Sequence, residues 1–157
     1  MKLALLQTGK TDEAYIRDAV AVYEKRMAKY ARFEIQTLPD IRNAKNMPAS
    51  VLKEKEAEQM LAVFRPDDLI ILLDDKGKEY TTMQFSAFLS EKMMSSKKRI
   101  LFVIGGAWGF DEKIYSRADH KMSLSKLTFS HQLVRLLFAE QLYRALTVIA
   151  GDPYHHE

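Results

Sequence analysis

The sequence predicts an α/β domain built on a largely parallel sheet, with helices on both faces. Two observations carry this. Apolar runs of strand length alternate along the chain with longer amphipathic stretches of helical period, the pattern of successive strand–helix units. Two of the runs, residues 69–73 and 100–104, are apolar at every position, as strands covered on both faces are. The 157 residues fit one domain over 1–157 and suffice to bury a core without covalent staples.

Residues 2–8 form a short, mostly apolar run that stops at Gly9, a strand followed by a turn. Asp12 is placed to cap a helix reaching about Ala31, whose apolar stripe is Ile16, Val20, Val22, Tyr23 and Met27. Residues 33–38 alternate apolar and polar, as a half-buried strand does. Pro39 and the polar residues up to Met47 break that pattern, and Pro48 suits the first turn of a second helix to about Phe64. Its stripe is Leu52, Ala57, Met60, Leu61 and Phe64. After a turn at Pro66-Asp67-Asp68 comes the 69–73 strand, then a third helix over 82–95. The 100–104 strand ends at Gly105-Gly106, and a short helix (111–117) and short strand (121–123) follow. A last helix, about 130–150, carries Leu133, Leu136, Leu137, Leu142, Leu146 and Ile149 on its apolar side.

Composition excludes several chemistries. The chain has no cysteine, which removes disulfides, thiolate nucleophiles and cysteine-ligated zinc, and is compatible with a cytoplasmic location. The apolar run Leu3-Ala4-Leu5-Leu6 is shorter than the roughly 7–15 residues of a signal-peptide core. No stretch reaches the roughly 18 apolar residues of a membrane span, so no membrane partner is expected. A net charge of +3 permits a polyanionic partner without demanding one.

In parallel sheets, ligands gather beyond the C-terminal ends of the strands. Gly105-Gly106-x-x-Gly109 lies at such an end, where glycine lets backbone approach a ligand. It matches neither the dinucleotide fingerprint nor a P-loop, and a plain tight turn reads as well as a binding loop. Trp108 within it suits stacking on a base or ordinary packing. Asp74-Asp75 invites Mg²⁺, but neighbouring strand residues point to opposite faces, and turn chemistry is the better account. The stretch from Ser123 to His131 has Leu and Phe enough for burial but no regular period. Its backbone needs partners, from a ligand such as adenine or from an αβ loop in which Ser130 or Thr128 caps the next helix. His131 and Arg135, four apart with no acidic partner, are read as one helical face free to meet phosphate. Glu140 and Arg144 repeat the spacing as an ordinary ion pair. The tail from Pro153 through Tyr154, His155 and His156 to Glu157 is, on local evidence, a frayed and inert end.

Several motifs together resemble one family over the whole chain. They are Leu73-x-x-x-Gly77-Lys78, Phe102-Val103-Ile104-Gly105-Gly106, Leu124-Ser125-Lys126-Leu127-Thr128-Phe129, His131, Arg135, Glu140-Gln141-x-Tyr143-Arg144-Ala145 and Pro153-Tyr154-His155. The family is the RlmH, or YbeA-like, branch of the SPOUT methyltransferases. The resemblance implies S-adenosyl-L-methionine as cofactor, with methylation of N3 of a pseudouridine in large-subunit (23S) ribosomal RNA. It also implies a C-terminal trefoil knot, a rare exception to unknotted topology, and a homodimer with the RNA site across the subunit interface. Cofactor contacts are implied at Leu73, Gly105, Leu124, Ser125, Lys126, Leu127, Thr128 and Phe129, and no metal is implied. The family's tail usually continues from Tyr-His into Lys or Arg, where this sequence has His156.

On that resemblance, His155 is the expected base for the N3 proton, since histidine exchanges protons near neutrality. Arg135 and Arg144 are expected to steady the anionic base or grip phosphate, and Tyr154 joins them as a catalytic candidate. His131, Arg135, Trp108 and His156 are the expected substrate contacts. With so small a net charge, an assembled ribosome is the expected substrate rather than naked RNA. The chain lacks an acid–base dyad and a secure metal cluster, so a non-catalytic ribosome- or RNA-binding α/β factor is the alternative. A Mg²⁺-dependent phosphohydrolase using Asp74 and Asp75 ranks third.

Overall fold

The structure, a computed structural model, describes residues 1–156. Glu157 lies outside them. Five strands run in the order β1 (Lys2–Thr8), β2 (Arg32–Leu38), β3 (Asp68–Glu79), β4 (Arg99–Ile104) and β5 (His120–Ser123). They form one sheet in spatial order β2-β1-β4-β3-β5, and every pairing is parallel. Five α-helices connect or follow them: α1 (Ala14–Met27), α2 (Ala49–Val63), α3 (Thr82–Met93), α4 (Glu112–Arg117) and α5 (Leu133–Ala150). The expected α/β class is what the chain adopts.

The period of two sorts the central strands between two cores. Leu3, Leu5, Leu69, Ile71, Ile100 and Phe102 pack with α1, α3 and α5 through Met27, Phe85, Leu89, Phe138 and Leu142. Ala4, Leu6, Ile70, Leu72, Leu101 and Val103 face Ala57 and Met60 of α2 and Ile114 of α4. At the N-terminal edge of the sheet, register partners Asp68 and Arg99 form a buried two-pronged pair, Nε–Oδ1 2.8 Å and Nη2–Oδ2 2.7 Å. Burial alone would raise the Asp68 pKa, but bonds from Arg99 and from the Arg65 N–H outweigh it and hold it low.

Local expectations fail at identifiable points. Asp12 does not cap α1; Glu13 is the cap residue, and the Asp12 N–H donates to Gln132 Oε1 at 2.8 Å. Val22 faces outward. α3 starts from a Thr81–Gln84 capping box. β3 runs six residues past Leu73: Leu73 and Lys78 both pair with Met122 of β5, and the chain between them bulges out. Gly77 sits so close to β5 that a Cβ there would lie 2.6 Å from the Met122 nitrogen.

α5 departs most. Its buried face runs through Arg135, Phe138, Ala139, Leu142, Tyr143, Ala145 and Leu146. Leu133 and Ile149 are exposed, and Leu136 and Leu137 are only half-buried.

Candidate active site

A cavity of about 440 Å³ opens at the C-terminal ends of β3 and β4, beside the start of α5. That is a volume typical of small-molecule sites. Seven of the eight expected cofactor residues line it: Leu73, Gly105, Leu124, Ser125, Leu127, Thr128 and Phe129. The eighth, Lys126, does not; its ammonium is exposed and lies 3.5 Å from Glu79. His131 reaches the lining, whereas Trp108 does not and is 62% exposed. Asp74, Asp75, Gly106, Gly109, Phe110 and Val134 complete most of the wall.

The wall is mostly backbone. Gly105 packs on Phe110, whose ring would stand 3.0 Å from a Cβ at that position. The 124–129 segment is not buried, contrary to its Leu and Phe content; Leu127 is 74% exposed. Among the described residues, the Leu127 N–H, bonded to Ser125 Oγ at 3.0 Å, is the only backbone N–H between 125 and 130 that donates a hydrogen bond. Ser130 serves as the expected cap, its Oγ accepting from the Leu133 N–H at 3.0 Å. The segment therefore keeps free backbone donors beside a cavity, which suits a ligand rich in acceptors, such as an adenine ring and its ribose.

Asp74 accepts from the Tyr115 hydroxyl and from the Lys76 N–H at 3.0 Å. Burial pushes its pKa up, but these bonds outweigh it and leave it low. The Tyr115 phenol is pushed up, by burial first and by Asp74 next. Among the described residues no group of three or more His, Asp or Glu is arranged to hold a metal ion.

The arginine and tail candidates lie elsewhere. Arg135 is not free to meet phosphate: it is 1% exposed, donating to Thr11 Oγ1 and the Thr8 carbonyl, each at 2.9 Å. Nor do His131 and Arg135 share a helical face, since His131 precedes α5. With Gln132, which bonds the Lys10 carbonyl and the Asp12 N–H, Arg135 fastens the loop after β1 to the start of α5. That loop borders a second cavity of about 900 Å³ between α1 and β2, which contains none of the expected site residues. Arg135 carries a charge on a long apolar stem, and nothing in the local pattern distinguished a buried clamp from a surface cation.

At Tyr154 and His155 the tail is not frayed but packs against α5. Gly151, in the left-handed region at φ 77°, ends α5 and turns the chain back along it. Tyr154 packs on Tyr143 at 4.7 Å between ring centroids, donates to Glu140 Oε1 at 3.3 Å and lies under Arg144. Burial first, then a hydrogen bond with Tyr23, push the Tyr154 phenol up to about 12. Arg144 pairs with Glu140, as its spacing implied, and reaches His155 Nδ1 at 3.2 Å. A guanidinium only donates, so Nδ1 is the acceptor in that contact and a neutral His155 carries its proton on Nε2. His156 is exposed. None of these residues lines the cavity: Glu140 and Arg144 lie six and ten residues past Val134 on α5, about 9 and 15 Å along the helix, and the tail folds back onto them.

The cavity at the strand ends of the parallel sheet, lined by glycine backbone and by Asp74, Asp75 and His131, has the size and place of a small-molecule site. Comparison with known proteins gives the class. Residues 1–155 match the family described as "Predicted SPOUT methyltransferase". The chain is 50% identical to the ribosomal RNA large subunit methyltransferase H of Parabacteroides distasonis, over the full length of both. It is 46% identical to the protein of the same name from Flavobacterium johnsoniae, again over all of both chains, and 44% identical to that of Christiangramia forsetii over 99% of each. The chain belongs to the SPOUT methyltransferase family.

Proposed function

We propose that this chain, as a single domain over 1–157, methylates N3 of a pseudouridine in large-subunit (23S) ribosomal RNA with S-adenosyl-L-methionine as donor. The observation that carries this reading is the cavity, assembled from seven residues that the sequence singled out for the cofactor. The names of the full-length relatives support ribosomal RNA as the substrate class.

S-adenosyl-L-methionine, held by the cavity residues, would supply an activated methyl on a sulfonium and leave as the neutral thioether. The protein's part is to hold donor and base in line and to ease loss of the N3 proton to solvent. Arg144 is a hydrogen-bond donor suited to an anionic base, and His155, which accepts from it through Nδ1, helps orient it. In this arrangement His155 positions Arg144 rather than acting as the base first expected. Tyr154, its phenol held protonated, also stays a donor and braces Arg144.

Because Arg144, Tyr154 and His155 line no part of the cavity, the proposed complete site takes two copies, the tail of one meeting the cavity of the other. Exposed Trp108, Leu127 and Leu133, on the segments that border the cavity, support a homodimer that covers them. The contact of Gly77 with β5 supports the threaded, knotted path that the family resemblance implies for the C-terminal segment. No helix among the described residues is long and apolar enough to cross a membrane, which accords with a cytoplasmic site of action.

Mass mapping of 23S ribosomal RNA nucleosides tests the proposal. Deleting the gene is expected to remove one N3-methylpseudouridine, and the purified protein is expected to restore it on assembled ribosomes. An unchanged nucleoside map overturns the reading.

A further inference from the structure

Glu56 takes no part in the reaction as proposed, yet it lies directly behind the cofactor cavity. α2 buries it with Ala57 and Met60, leaving it 8% exposed. Its carboxyl rests on the backbone of Gly106: a Cβ on that glycine would stand 2.7 Å from Oε1 and closer still to Oε2. A side chain at Gly106 would have to displace the Glu56 carboxyl, and Gly106 also lines the cavity. Among the described residues, Oε1 is buried with no hydrogen-bond partner. Burial first, and then the neighbouring Asp40 carboxylate, raise its pKa and favour the neutral acid.

The loop in front is loosely held. Within it Gly106 and Gly109 bridge each other, the Gly109 N–H reaching the Gly106 carbonyl at 3.1 Å, and the N–H groups of Ala107 and Trp108 donate no bond among the described residues. A buried polar atom without a partner is costly. Here free donors and a free acceptor lie on one short loop and the side chain beneath it.

We propose that Glu56 is a positioning residue for the methyl donor: its carboxyl, packed behind Gly106 with Oε1 still open to a donor, supports the 105–109 loop from beneath and fixes the shape that grips the cofactor. This rests on the reading of the cavity as the S-adenosyl-L-methionine site. The residue touches the loop, not the ligand. Its loss is therefore expected to weaken donor binding through the loop, without altering the tail cluster.

Trp108, the single tryptophan of the chain, sits on that loop and reports on it. S-adenosylhomocysteine would be titrated into the full-length protein and into E56Q, E56D and E56A, followed by calorimetry and Trp108 fluorescence. The amide of E56Q keeps the shape and a hydrogen-bonding oxygen, so its Kd is expected within about threefold of the parent. E56A is expected to bind at least about tenfold more weakly, with a diminished Trp108 response. E56D, which draws the carboxyl back by one methylene, is expected to fall between them and serves if E56A fails to fold. Parent-like affinity and fluorescence in E56A or E56D overturn the proposal, as does a loss in E56Q equal to that in E56A. A parent protein that binds no S-adenosylhomocysteine overturns the cofactor reading itself.

Discussion

The two ends of the proposed site are built by opposite means. At the start of α5, a cavity is walled by glycines and by an open segment whose backbone N–H groups are mostly unbonded. Toward the middle of α5, Glu140 and Arg144 interlock with Tyr154 and His155 of the returning tail through side-chain bonds and stacked rings. Backbone suits the recognition of an invariant cofactor, because it offers fixed donors at little conformational cost. Charged side chains suit an RNA base that changes charge as it reacts. On the proposed function, the contrast gives binding to one end and activation to the other.

A baseline comes first, since neither end should govern folding. The buried Asp68–Arg99 pair does that at the far edge of the sheet. Asp68→Asn leaves a buried guanidinium without its counter-charge and is expected to cost about 3–5 kcal/mol in chemical denaturation. The Asp68 pKa is lowered on folding, so its contribution is present above the unfolded carboxylate pKa. It fades as pH falls through the folded value, so parent and variant should converge below about pH 4. A gap that stays constant with pH would show that the carboxylate charge is not what matters there.

Arg144→Ala tests the division directly. Turnover is expected to fall about 10²–10³-fold, the usual cost of losing an oriented charge stabiliser. Calorimetry with S-adenosylhomocysteine should give an affinity within about twofold of the parent. A matching loss of affinity would break the contrast. Mixing the variant with Gly105→Val, defective at the other end, extends the test to the dimer. Half the dimers are then mixed with one intact site each, so about a quarter of parent activity should return. No recovery would place both functions within one copy.

How much of this was legible in the sequence follows the same divide. The continuous runs of β3 and β4 announced buried strands, and most residues of the cavity lining lay in the short contiguous motifs that carry the family resemblance. The tail cluster depends on contacts invisible locally, such as Tyr30 with Asp152, 122 positions apart. On α5, hydropathy placed Leu133, Leu136, Leu137 and Ile149 inward. Small Ala139 and Ala145 and the long stem of Arg135 took the core instead, because close packing against the sheet and α1 selects shape as well as polarity. The extension of β3 was hidden because Asp74 to Glu79 are nearly all polar, and Glu56 because a buried carboxyl has no local signature.

Gly105→Val bears on the cavity alone. Gly105 already packs against Phe110 at the limit of contact, so a branched side chain must push into the ligand space or displace that ring. S-adenosylhomocysteine affinity should drop at least about tenfold, about 1.4 kcal/mol, with the tail cluster intact. Unchanged affinity would mean that the ligand does not approach this loop.

The smallest effect is the most discriminating about how the wall works. Lys126 lies within the cofactor motif but outside the cavity lining, its ammonium exposed and 3.5 Å from Glu79. An exposed pair of that kind contributes about 0–1 kcal/mol. Lys126→Ala should therefore leave both melting behaviour and S-adenosylhomocysteine affinity nearly unchanged, within about twofold for the latter. If the wall grips by backbone, removing this charge is silent even though five neighbours in the motif line the site. A tenfold loss, relieved as salt is raised, would instead show that the ammonium reaches the cofactor's carboxylate, and the opposition between a backbone end and a charged end would have to be redrawn.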